Sequence, residues 1–100
     1  MRTRIKMSTT TETRVKVEKP STERLEQLKA FTWPIWTKEQ SSFDWEYGEQ
    51  EICYFLEGEV TVSTDLGSVS FGKGDLVTFP QGLKCKWHVK VPVRKHYKFG

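Results

Sequence analysis

From residue 51 onward, apolar and polar side chains alternate with a period of two in short runs punctuated by glycine or proline. Residues 51–56 and 59–63 read as strands on either side of a tight hairpin at Glu57-Gly58. Asp65-Leu66-Gly67 offers a second turn, leading into a strand over 68–71, and Gly72-Lys73-Gly74 a third, with both glycines able to take positive φ. A short strand over 75–79 stops at Pro80-Gln81-Gly82, and strands over 84–91 and 93–99 complete the set, with Pro92 as a break between them. Short strands at close spacing with Gly/Pro turns predict an all-β sandwich or barrel, and no βαβ pattern competes.

The N-terminal half carries fewer such signals. Residues 1–10 are polar and low in complexity, which predicts a flexible tail preceding a single domain over 11–100. Val15 and Val17 alternate with charges, as a first strand at a sheet edge does. Ser21 or Thr22 caps a short helical turn carrying Leu25 and Leu28. Pro34 has no amide hydrogen to donate, so Trp33-Pro34-Ile35-Trp36 does not suit a central strand. Its two tryptophans are expected to seal one end of the core.

Composition narrows the class. One hundred residues allow one modest core, and the 13% of aromatic residues suits the interior of a small sandwich. No apolar run approaches the roughly 20 residues that cross a bilayer. The basic, Ser/Thr-rich start lacks a signal-peptide core, so a cytoplasmic location is expected, with an organelle such as the plastid as the alternative. The two cysteines, Cys53 and Cys85, are too few for a disulfide scaffold and match no zinc spacing. A net charge of +3, with basic residues gathered at both ends, describes a solvated surface more simply than a nucleic-acid site.

The turn spacing resembles the cupins. Their first motif places a glutamate six residues before a glycine, as Glu51 and Gly58 stand here. Their second runs from a glycine through Pro-x-Gly to a histidine; here Gly74, Pro80-Gln81-Gly82 and Cys85 hold those places. The wording of 51–60, 74–87 and 95–99 is similar to small plant and bacterial single-domain cupins related to the ureidoglycine aminohydrolase cupin domain and the ethanolamine-utilisation cupins. The resemblance covers about residues 13–99 and implies a jelly-roll barrel, commonly paired into homodimers.

It also implies a metal, held in such cupins by three histidines and the glutamate. Here the first-motif histidines correspond to Trp45 and Tyr47, or to Asp44 and Glu46 with the longer gap, and the second-motif histidine to Cys85. Trp cannot ligate, and Tyr does so only once deprotonated. No cofactor is therefore expected. A divalent zinc, manganese or iron ion on Glu51 and Cys85 is the minor alternative.

Alternation sets Glu51, Cys53 and Phe55 on one face, and Cys85 with Trp87 on one face of a later strand. The resemblance turns both faces inward. The expected ligand-binding set is Trp45, Tyr47, Glu51, Phe55, Cys85, Trp87, Lys95 and Tyr97, as an aromatic pocket with a few polar points. Filling of the barrel by the same rings is the plainer use for them. Three functions are open. One is a small-molecule-binding cupin with a degenerate metal site. The second is an enzyme (isomerase, epimerase or hydrolase of ureido or amino-acid type) using Glu51 as acid/base. The third is an interaction module with a filled barrel.

Overall fold

The alternation over 51–56 survives in three dimensions as the first half of a much longer strand. The computed structural model describes residues 13–100, so the tail expected over 1–10 lies outside the described residues. Among the described residues there are seven strands: β1 (Lys16–Glu18), β2 (Ile35–Lys38), β3 (Ser41–Glu46), β4 (Glu51–Thr64), β5 (Gly67–Gly72), β6 (Leu76–Phe79) and β7 (Lys84–Phe99). An α-helix, α1 (Thr22–Leu28), and a 3-10 turn (Ala30–Thr32) lie between β1 and β2. Every strand pairing is antiparallel.

β4 and β7 pair with each other along nearly their whole length and belong to two leaves at once. One leaf runs β1-β6-β4-β7-β2; the other ends of β4 and β7 take β5 and β3 as neighbours. The corner between the leaves is a cluster of bulges. The register skips Leu56 on β4, then sets Val93 and Pro92 against the single residue Gly58, then skips Lys90. Two sequence expectations are corrected here. Glu57-Gly58 is a corner within one continuous strand, not a hairpin. Pro92 lies inside β7 rather than ending it, because the bulge leaves no ladder position that requires its missing amide.

The corner explains its glycines. A Cβ on Gly58, whose φ is 113°, would sit 2.8 Å from both Pro92 O and Val93 Cα. A Cβ on Gly72 would sit 2.4 Å from Gly58 O. Gly72 is thus required by packing and not by positive φ, while Gly74 does take φ of 90°. Asp75, expected in a strand, instead closes this turn: its Oδ2 accepts from the Gly72 amide at 2.8 Å and its Oδ1 pairs with Lys19.

The hairpin from β4 to β5 is the Asp65-Leu66 turn, where the Thr64 hydroxyl accepts from Leu66 N and donates to Gly67 O. Inward residues of both leaves, including Phe55, Val60, Val62, Phe71, Val77, Phe79 and Trp87, form the main core. A second cluster lies on the outer face, where Leu25, Ala30 and Trp33 cover Leu76, Ile52 and Tyr54. α1 reaches that face because Ser21 caps it, accepting from Arg24 N at 3.1 Å, and Lys29 ends it in the left-handed conformation. Among the described residues no helix is long and apolar enough to cross a membrane.

Candidate functional site

The inward face of β4 and β7 carries an unusual pair. Glu51, Cys53 and Phe55 alternate inward on β4, and the regular antiparallel pairing of 51–55 with 95–99 sets Lys95 opposite Phe55 on the same face. Lys95 Nζ lies 3.0 Å from Glu51 Oε2 and 3.1 Å from Cys53 Sγ. Cys53 in turn donates its thiol hydrogen to Glu51 Oε2 at 3.1 Å. Glu51 is 6% exposed and Lys95 4%, so this is a buried ion pair.

Taking two charges out of water costs several kcal/mol per ion, on the order of what a close contact returns. Aromatic faces supply the rest. The ammonium stands 4.8 Å from the Trp36 ring centroid, 5.0 Å from Trp87, 5.7 Å from Phe55 and 5.9 Å from Phe79, all within cation–π range. Those rings hold one another: Phe79 stacks on Tyr47 at 4.8 Å, and Trp87 stacks on Phe43 at 5.9 Å.

Above the pair opens a cleft of about 490 Å³ walled by Trp36, Phe43, Trp45, Tyr47, Trp87, Tyr97 and Phe99, with Lys38, Asp44, Glu51 and Lys95 as its charged points. Trp45 is 49% exposed and stands at the mouth. Tyr47 is buried, and its hydroxyl oxygen accepts from Trp87 Nε1 at 3.1 Å. Burial first, and then the Glu51 carboxylate, push the Tyr47 phenol well above its ordinary range. Burial also raises the Cys53 thiol; the Lys95 ammonium opposes that and the Glu51 carboxylate adds to it. Both groups therefore keep their protons at neutral pH, which lets Cys53 donate to Glu51.

Of the residues expected from sequence, Trp45, Tyr47, Glu51, Trp87, Lys95 and Tyr97 meet around this one cleft. Two do not. Phe55 is fully buried beneath it as core. Cys85 opens onto a separate, shallower groove with Asp44, Trp45, Lys84 and Lys86, and shares no cavity with Glu51. The physical reason is position along β7: Cys85 pairs with Trp45 on the β3 leaf, while Lys95 pairs with Phe55 and Trp36 beyond the corner. The Cys85 thiol is pushed up to about 11 by burial and then by the Asp44 charge. His88 bonds to Ser42 and His96 to the Trp33 carbonyl, so both are satisfied away from the cleft.

The sequence pattern missed Trp36, Phe43, Phe99 and the role of Cys53. Pro34 keeps this segment out of a central strand, as expected, and precedes the edge strand β2, which carries Trp36 to the cleft wall. The period-two alternation placed Cys53 on one face with Glu51; its contact with Lys95 depends on which distant strand pairs with β4 and in what register.

The residues present do not suit the divalent ion that metal-binding cupins hold. Trp45 offers no ligand, Tyr47 holds its proton, Cys85 lines a different cavity from Glu51, and Glu51 is already engaged by an ammonium. Among the described residues no group of three or more His, Cys, Asp or Glu side chains is placed to share a metal.

The comparisons with known proteins agree with this architecture. A DUF861 family protein from Thermotoga maritima is 55% identical, with a TM-score of 0.84 over 86% of this chain and 99% of that one. The EutQ protein of Clostridium difficile is 28% identical (TM-score 0.60) over 65% of this chain, which spans 52% of it. A putative ethanolamine utilization protein Q from Salmonella typhimurium is 25% identical (TM-score 0.59), again over 65% of this chain and 53% of its own. No curated protein matches. The family model for the EutQ-like cupin domain matches residues 25–97, and with the double-leaf fold and its inward glutamate this shows that the chain belongs to the EutQ-like cupin family.

Proposed function

We propose that this chain is a small-molecule-binding cupin in which the Lys95 ammonium takes up the glutamate that metal-binding cupins use as a ligand. The observation that carries it is the 3.0 Å contact between Lys95 Nζ and Glu51 Oε2 at the floor of an aromatic cleft. An internal cation neutralises the carboxylate, and the remaining volume is within the range of small-molecule sites. The test is elemental analysis of protein purified from metal-replete medium. Iron, manganese and zinc are expected far below one equivalent; stoichiometric metal lost on Glu51→Gln would overturn the reading.

A second reading, an acid/base enzyme, is favoured by one feature: a carboxylate, an ammonium and a phenol meet at one end of the cleft. It expects Glu51→Gln to abolish turnover of any substrate found and Cys85→Ala to leave it intact. The proposal includes cytoplasmic residence, supported by two unpaired cysteines, and a homodimer through sheet edges such as β3 and β5. Light scattering that returns a single-chain mass of 11.7 kDa would remove the dimer.

A further inference from the structure

The floor of the cleft is chemically asymmetric, and the asymmetry selects a ligand. Glu51 Oε2 accepts from both Lys95 and Cys53, but Oε1 receives no hydrogen bond from the described residues. The Tyr47 oxygen accepts from Trp87 Nε1, and its own hydroxyl hydrogen meets no acceptor among the described residues. Both side chains are more than nine-tenths buried and line the same cleft. A buried acceptor and a buried donor, each without a partner among the described residues, are costly unless a ligand satisfies them.

Charge and shape narrow the choice. Two lysines and two acids line the cleft, so its formal charge balances. The Lys95–Glu51 pair is already matched, so an entering anion or cation would have to compete with it. The walls are flat rings, among them Trp36, Phe43 and Trp87, with Phe43 and Trp87 only 18° from parallel. Flat rings favour a flat guest.

We propose that the cleft binds planar, neutral molecules presenting an N–H donor beside a carbonyl acceptor, such as aromatic carboxamides or cyclic amides. The N–H donates to Glu51 Oε1, the carbonyl accepts from Tyr47 Oη, and the ring lies against the tryptophans. This rests on the small-molecule reading above and goes further by naming the ligand class.

The test is an NMR titration of the ¹⁵N-labelled full chain with benzamide, N,N-dimethylbenzamide, benzoate and benzylammonium. The four indole N–H signals report position, because Trp36, Trp45 and Trp87 line the cleft and Trp33 lies in the outer cluster. Benzamide is expected to move the first three, to leave Trp33 in place, and to bind about tenfold more tightly than the other probes. Tyr47→Phe, which keeps the ring stacked on Phe79, should weaken benzamide about fivefold to tenfold. Equal or tighter binding of dimethylbenzamide overturns the donor contact, and unchanged affinity in Tyr47→Phe overturns the acceptor contact. Preference for benzoate or benzylammonium overturns the neutral ligand; in all these cases small-molecule binding itself stands. If no probe moves the three indoles, both proposals fall.

Discussion

The buried pair makes a demanding energetic prediction. At 3.0 Å and an effective dielectric of about 20, the gross attraction between Lys95 and Glu51 is about 5 kcal/mol. Their joint desolvation offsets most of it, so the pair's net worth is small. Removing one partner is different, because the other stays 4–6% exposed with nothing to neutralise it. Lys95→Met keeps the apolar stem against Trp36 and Phe55, and Glu51→Gln keeps the shape and an acceptor for Cys53. Each single variant should therefore lose about 3–5 kcal/mol, and the double variant should return to within about 2 kcal/mol of the parent. Urea is the right denaturant, since it does not screen charge; each single midpoint should fall by about 2 M. If each single variant costs under about 1 kcal/mol, or the double costs the sum of the two, the pair is not a buried, mutually dependent unit, and the site reading fails with it.

Further outcomes follow from the corner and the thiols. Gly72→Ala and Gly58→Ala should each destabilise by about 3 kcal/mol, since their Cβ atoms would meet backbone at 2.4 and 2.8 Å. Gly48→Ala, with nothing within 4 Å, should change stability by under about 0.5 kcal/mol in the same denaturation assay. Cys85 should alkylate with iodoacetamide about 100-fold more slowly at pH 8 than a free cysteine, its rate rising until about pH 11. A raised folded pKa contributes stability that is complete below the unfolded value. Stability should thus decline as pH climbs from about 9 through 11, with Cys53 and Tyr47 acting in the same direction. Thermal melts across that window check it; a flat profile would contradict the burial of all three groups.

The strands from residue 51 onward and most of their turn positions were legible in the chain, because a period of two and Gly/Pro punctuation are local properties, whereas β2 and β3 were not read as strands. Legible too was the shared face of Glu51, Cys53 and Phe55, which follows from alternation, while the resemblance supplied its inward direction. The family followed from turn spacing, and six of the eight expected site residues do share one cleft. What the chain did not disclose is how its two longest strands are folded over. A glycine at position 58 reads as a hairpin or as a corner with equal local plausibility, and Pro92 as a break or as half of a bulge. The choice is made by the partner strand, whose backbone approaches too closely for any Cβ. The regular pairing of β4 with the end of β7 carries Lys95 to Glu51, and Cys85 lies beyond the corner beside β3, so the identity of the glutamate's partner was decided across a distance of 44 residues. Alternation tells which side chains share a face; only the pairing of strands far apart in the chain determines what they meet.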